Sequence, residues 1–572
     1  MRLRRDPIPS LQGGGSKTAV SSSPLPEGRG AGGGGAPRPR GGYVIFAVLV
    51  VVVVLSLVAY RFAESMTGEF RAGVRSNDDA QVKLAAVSGL HYAAAVLSDR
   101  TTFYEELDGN PFDNPDIFEQ FDVPTAGGVP NANKQASFSI RCVALTTGGT
   151  FEQRFGVIDE GGKLNVNSLI ALDPTGELLY NVLMKLPGML AEVADAIVDW
   201  VDADDDARAS GAESAYYSSL STPYKAKNGP LNSLDELLLV KGVTPYLLYG
   251  GDTNRNGVQD DGEPDATRGL ADYLTVYGRE LNVDMAGTAR IYLNGDDLDT
   301  LGKQLAGAVG DELATYIVAA KVFSAKPVAT AVVATVTTAT TTTLDADKDA
   351  VLAKATLTLS QRPTVTATTE QLQAAIQAKV ALSATSGTRV KSLMDLIGTQ
   401  ITLPRAPDAK KDDPDAVAYS PLNDPAKRND LLAKLLDKTT VRQAIEMVPR
   451  LNVNTAPREV LLAVPGLTEE LADKLIAQRP NQLPTDPGTV SAAWLVTTDT
   501  IPSAQFKQME KYLTGSTMVY RVQSIGYFKS GTGPAARMEA VIDTNQGAPR
   551  FLFVRDLSDL ENPRGFRPPP AP

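Results

Sequence analysis

The chain is poor in the residues that most enzymes and disulfide scaffolds rely on: of 572 residues, one is cysteine, one is histidine and two are tryptophan. A lone Cys142 excludes an intramolecular disulfide framework, and its place in SFSIRCVAL reads as a buried strand position. With no second histidine, His91 is not read as a metal ligand or a catalytic base. Neither G-x-S-x-G nor G-x-x-x-x-G-K occurs, so the nucleophile elbow and the phosphate loop are both missing, and the chain is not read as an enzyme. An excess of positive charge is missing too. Lys and Arg total 55 against 67 Asp and Glu, a net charge of −12, which argues against nucleic acid as a partner because phosphate binding needs clustered cations. What the chain has is apolar content, 43% by count, enough to build cores over a length that allows several domains.

Much of that content is concentrated early. Tyr43 to Tyr60 is a run of 18 residues with one polar member, Ser56. As a helix it spans about 27 Å, close to the hydrocarbon thickness of a bilayer. It is longer than the apolar core of a secretory signal. Before it stand Arg2, Arg4, Arg5, Lys17, Arg29, Arg38 and Arg40 against Asp6 and Glu27, so the positive-inside rule keeps residues 1–42 cytoplasmic and sends the rest across the membrane. That leader is rich in Gly, Pro and Ser. The helix is expected to continue past the membrane. Phe62, Met66, Phe70 and Val74, then Val82, Ala86, Leu90, Ala93 and Leu97, form one apolar stripe opposite Glu64, Glu69, Arg71, Asp78 and Asp79.

Period-two alternation follows. SFSIRCVALTTGGTFEQRFGVID predicts two strands around a Gly148–Gly149 turn, and MVYRVQSIGYF, RMEAVIDTN and RFLFVRDL (518–557) predict closing strands of the same sheet. Between the two groups lies an internal repeat. KLNVNSL…LMKLPGMLAEVADAIVDW and RLNVNTAPREVLLAVPGLTEELADKLIAQR align on Pro187–Gly188 and Pro465–Gly466, and a middle copy, ELNVDMAG…GDELATYIVAAK, lacks the Pro-Gly. Each copy reads as two helices joined by a short turn. Asn454 or Thr455 is expected to cap the first helix with Pro457 in its opening turn, and Thr468 to open the second. Helical hairpins of this kind also bind DNA, but Glu469 and Glu470 stand where phosphate would lie, so the modules read as protein-packing elements.

Two acidic stretches suggest metal chemistry. DTNRNGVQDDGE places Asp252, Asn254 and Asn256 at positions one, three and five of a calcium loop, with Gly257 sixth, the Val258 carbonyl seventh, Asp260 ninth and Glu263 twelfth. Alternating oxygens wrap a hard cation, glycine permits the sharp turn and the last Glu binds bidentately. The bland alternative is a solvated Asx-rich loop. In DWVDADDDARASGAE, Asp202, Asp204, Asp206, Ser210 and Glu213 fall at one, three, five, nine and twelve, but Ala207 replaces the glycine. This second stretch is either a calcium site or a solvated acidic turn beside Arg208; its carboxylates repel one another unless a cation compensates.

DEGGKLNVN, DWVDADDDARASGAESAYY, SLDELLLVKGVT, LADYLTVYG and LNVNTAPREVLLAVPGL, in that order, resemble protein K of the type II (general) secretion pathway, a minor pseudopilin family. The resemblance implies an α+β fold: a pilin-like long N-terminal helix plus an antiparallel sheet, with a large inserted helical domain of repeated helical-hairpin modules. It implies a cytoplasmic leader (1–42), the transmembrane and amphipathic helix (43–98), the first part of the sheet (99–162), the inserted helical domain with its calcium loops (163–321), a second hairpin module (441–516), closing strands (517–557) and a Pro-rich tail (558–572). Residues 322–440 depart from the family and read as a Thr-rich and charged insertion or linker. Its tract ATAVVATVTTATTTT is an edge strand or a spacer, and RAPDAKKDDPDAVAYSPLNDPAKRND a charged Pro-rich link.

The family's prepilin peptidase cuts on the cytoplasmic side after a glycine and leaves the apolar helix attached. Gly42 followed by Tyr43 is the matching position, although Phe is more usual than Tyr there and a 42-residue leader is long. Most pilin-like subunits carry Glu at the fifth mature position; here that position is Ala47, as the resemblance to protein K implies. It further implies a seat at the tip of a periplasmic pseudopilus, single-pass in the inner membrane, beside other minor pseudopilins and the major pseudopilin, with calcium in the helical domain. A membrane-anchored calcium-binding surface or adhesion protein is the second reading. The two part at Gly42, where only a pseudopilin is cut.

Overall fold

The computed structural model describes residues 41–99, 102–107, 110–124, 134–145, 151–253, 255, 262–265, 267–328, 364–382, 388–405, 410, 413–480, 487–545 and 547–560. The chain divides into a unit of residues 1–73 and a unit of residues 74–572. Helix α1 (Gly41–Ser98) contributes to both. In the first unit every residue from Tyr43 to Gly73 is exposed, including Phe62, Met66 and Phe70 of the expected stripe. This is the one helix among the described residues long and apolar enough to cross a membrane.

In the second unit the stripe is used. Val82, Ala86, Leu90, Ala93 and Leu97 are buried against Phe138, Ile140, Val522 and Ala540 of a sheet. Four strands precede the helical part: β1 (Phe121–Asp122), β2 (Ala136–Leu145), β3 (Phe151–Arg154) and β4 (Ile158–Asp159). β2 and β3 form the antiparallel pair that the alternation predicts, with Cys142 opposite Arg154. Cys142 is buried, and burial pushes its thiol up to about 12, which leaves it an inert core residue.

The chain then leaves the sheet. β5 (Leu164–Asn165) leads into α2 (Val166–Leu172), α3 (Glu177–Leu183) and α4 (Ala191–Val201), and β6 (Leu274–Thr275) pairs with β5 in parallel. The middle repeat forms α5 (Leu298–Val309) and α6 (Asp311–Phe323). β7 (Lys326–Pro327), β8 (Thr364–Thr366), α7 (Thr369–Leu382), β9 (Thr399–Thr402), β10 (Asp415–Tyr419) and α8 (Pro425–Lys438) follow. The last repeat starts at β11 (Leu451–Asn452), continues through α9 (Arg458–Ala463) and α10 (Glu469–Gln478), and ends at β12 (Leu513–Thr514), which pairs with β11 in parallel. β13 (Val519–Phe528), β14 (Ala536–Asp543) and β15 (Arg550–Asp556) then close the sheet in the order β1-β2-β13-β14-β15, with β3 beside β2 and β4 beside β13, all antiparallel. A long helix on an antiparallel sheet, with helices inserted between its strands, is the expected α+β fold.

Two expectations are corrected. Residues 364–438 are no linker: α7, β9, β10 and α8 bury Leu372, Ile401, Ala418, Leu432 and Leu435 in the core that also holds α4 and α6. Charge and proline had masked spaced apolar positions, and Pro425 sits harmlessly in the first turn of α8 behind the Asp424 cap. The Thr-rich tract of 329–343 lies outside the described residues. Next, Asn454 and Thr455 do not cap α9. Pro457 is its N-cap, Asn454 donates to the carbonyls of Thr489 and Gly515, and Thr455 donates to Asp159 at 2.6 Å. The middle repeat has the short turn expected of each copy, with a positive-φ glycine even without Pro-Gly. Gly310 has φ of 87°, as Gly466 does, and Gly188 has 73°.

Candidate metal centre

α4 carries AEVADAIVDWV, whose apolar residues Val193, Ala194, Ile197, Val198 and Val201 pack into the core. Asp195 and Asp199, one turn apart, share a flank of that helix. The helix ends at Val201, and Asp202 follows in extended conformation. Asp199 and Asp202 thus lie at the negative pole of the helix dipole, where a carboxylate is least welcome. Both are buried. Glu213, 3% exposed, returns from the following loop, and Asp199, Asp202 and Glu213 bring ligand oxygens within 4.8 Å of one another.

Their partners differ. Asp195 is matched by Arg208, whose Nε donates at 2.9 Å and whose other end reaches Glu177, also at 2.9 Å. Asp199 accepts from the backbone N–H groups of Arg208 at 3.2 Å and Ala212 at 2.8 Å. Gly211 makes this approach possible: a Cβ there would lie 1.9 Å from Asp199 Oδ2. By contrast Asp202 Oδ1 and both Glu213 oxygens are buried with no hydrogen-bond partner. Burial first, then the charges of Asp199, Asp202 and Asp205, push Glu213 up to about 8. Burial, then Asp204 and Asp199, push Asp202 up to about 6, and Asp199 is raised by burial as well. Three carboxylates that repel one another, with oxygens left over and Arg208 engaged elsewhere, form an all-oxygen donor set suited to a hard divalent cation.

Of the second predicted loop, Asp202 and Glu213 are therefore together. Asp204 and Asp206 are exposed, and Asp204 Oδ1 accepts from the Asp206 N–H at 3.0 Å instead of turning inward. Asp199 was missed because the loop template counts forward from Asp202. The available signal was the three-residue step from Asp199 to Asp202 at a helix end. Of the first predicted loop, Asp252 is buried, and Glu263 Oε1 accepts from Thr253 N at 3.0 Å and Thr253 Oγ1 at 2.9 Å, which brings the two ends of the stretch together. Asn254, Asn256, Val258 and Asp260 lie outside the described residues. Gly42 and Tyr43 lie in the opening of α1, with Tyr43 and Ala47 exposed.

Two segments match family models described as type II secretion system (T2SS), protein K, over residues 162–249 and 451–493. These two segments are what the chain shares with the type II secretion system protein K family. The first family segment contains α4 and the Asp199–Asp202–Glu213 cluster, and the second contains β11, α9 and α10 of the last repeat. The chain is also similar to a chain of the GspK–GspI–GspJ complex from the type 2 secretion system of enterotoxigenic Escherichia coli, at 12% identity and a TM-score of 0.34, over 85% of this chain and 99% of that one. No curated protein matches the sequence.

Proposed function

We propose that this chain is a minor pseudopilin at the tip of the periplasmic pseudopilus of a type II secretion system, where it helps to initiate or cap assembly for protein export across the outer membrane. The observation that carries this reading, beside the family, is α1: exposed and apolar from Tyr43 to Tyr60, then buried in the sheet from Val82 onward. Such a helix serves as an anchor in the inner membrane before assembly and as a packing surface for neighbouring subunits after it. Ala47 at the fifth mature position supports a tip seat. A carboxylate there is costly in lipid unless the amine of a following subunit pairs with it, and a subunit with nothing above it needs none. The partners on this reading are other minor pseudopilins, the major pseudopilin and the prepilin peptidase, with the 74–572 unit in the periplasm.

Calcium is the cation we assign to the Asp199–Asp202–Glu213 cluster and, by loop spacing, to Asp252–Glu263. Bound there it supplies positive charge to carboxylates that otherwise repel. The residues do the rest: α4 and Gly211 bring the oxygens together, and the segment between Asp202 and Glu213 is pinned to them. The test is the N-terminal residue of the mature protein, by mass spectrometry of membranes with and without prepilin peptidase. A start at Tyr43 that depends on the peptidase is expected. An intact leader, or cleavage beyond Tyr60, would sink the pseudopilin reading and favour an anchored or secreted calcium-binding protein.

A further inference from the structure

Asn228 belongs to KAKNGPL, well after the acidic stretch in sequence, yet it closes over that stretch in space. Its φ of 46° is in the left-handed region, which asparagine tolerates better than most other side chains. Its Nδ2 donates to the carbonyl oxygen of Asp204, which identifies the other end of the amide as the oxygen. The neighbouring Asp205 is tied to the other end of the stretch, where its Oδ1 accepts from the N–H of Ser214, next to Glu213, at 3.3 Å. Asn228 Oδ1 is buried and has no hydrogen-bond partner. Four such oxygens therefore occur here: Oδ1 of Asn228, Oδ1 of Asp202 and both of Glu213. Buried polar atoms are ordinarily satisfied, so a group of orphaned oxygens points to a shared positive ligand.

We propose that Asn228 Oδ1 is a ligand of the cation held by Asp199, Asp202 and Glu213, so that the ion clasps the 224–236 segment to the acidic loop; this rests on the calcium reading above. A neutral amide oxygen suits the site. Three carboxylates already exceed the charge of one divalent ion, and calcium takes six to eight oxygens, so further ligands are best uncharged. The segment is built to present it. Before and after Asn228, Lys227 pairs with Glu236 at 2.6 Å, and Leu231 exchanges hydrogen bonds with the Asn167 side chain at 2.8 and 2.9 Å.

Terbium is the probe, because Trp200, buried between Asp199 and Asp202 in sequence and edge-on to Tyr217, is placed to sensitise its luminescence. The full chain is titrated in detergent, in an Asp252→Ala background that removes the other acidic loop, and calcium is used to displace the signal. Asn228→Ala and Asn228→Gly are both expected to weaken terbium binding roughly ten- to a hundredfold. Asn228→Asp is expected to bind at least as tightly as the parent. Glycine keeps the left-handed backbone without the oxygen, so parental affinity in Asn228→Gly would overturn the proposal, as would equal weakening in all three variants. If Glu213→Gln also leaves the signal unchanged, the calcium reading fails and not the Asn228 assignment alone.

Discussion

Glu160 is fully buried where the helical insertion leaves the sheet, and its carboxylate is shared by two cations: Arg521 Nε at 2.6 Å and Lys163 Nζ at 3.3 Å. Arg521 in turn reaches Glu539 at 2.9 Å across β13 and β14. Burial alone would push Glu160 up, but Arg521 and Lys163 outweigh it and hold the carboxyl at about 2. A pair of this kind adds little over a well-packed apolar replacement, yet losing one partner strands the other. Glu160→Gln is therefore expected to cost about 3 kcal/mol in urea unfolding at neutral pH. The sign of the pH effect follows from a folded value below the ordinary 4.5. The stabilisation is complete above about pH 4.5 and is lost as pH falls towards 2, so the parent loses stability in that window while the Gln variant changes less. Equal acid sensitivity of parent and variant would mean that other carboxylates carry the acid transition. At this scale the sequence was partly legible. Spacing alone singles out Asp202 and Glu213, which the fold brings together, whereas Asp199 and Glu160 meet their neighbours only through contacts that helix ends and strand pairing create.

Elements were more legible than their connections. The four-residue stripe of α1, the alternation in β2 and β13, and the paired helices around Pro-Gly are periodic signals that survive in a single sequence. The two-residue parallel pairs β5–β6 and β11–β12 are too short to show any period. Their common mark, LN meeting the LT of DYLT or KYLT, emerges once the pairing is known. Residues 364–438 misled for the opposite reason, since their apolar positions are diluted by Lys, Asp and Pro. The hairpin turns offer the cleanest test of an element. Gly466 has φ of 87°, and a Cβ there would meet nothing closer than the Met509 side chain at 3.7 Å. Gly466→Ala should cost backbone strain alone, about 1 kcal/mol in urea unfolding. A loss of about 3 kcal/mol or more would mean that the turn's approach to Met509 is a packing constraint as well.

On the scale of the whole molecule, the carboxylates work in opposite directions, and on the calcium reading proposed above the balance depends on a cation. Glu160 stabilises the fold as pH rises through the acid range. Glu213 and Asp202, pushed up to about 8 and about 6, do the reverse. Between their ordinary values and these raised ones the unfolded chain has released protons that the folded chain still holds, so stability falls as pH rises through that window. In chelator, the melting temperature of the detergent-solubilised chain is therefore expected to decline from about pH 5 to about pH 8. Calcium should reverse that trend, because it binds the deprotonated cluster of the folded state and stabilises it by mass action. Its stabilising effect should be small near pH 5, where protons compete for Glu213 and Asp202, and largest near pH 8. Scanning calorimetry at several pH values, with chelator or calcium, measures both curves. If calcium raises the melting temperature equally at all pH values, the ion acts away from this cluster; if it raises it at none, the acidic loops are solvated turns and the fold is held by its apolar core and the Glu160–Arg521 network alone.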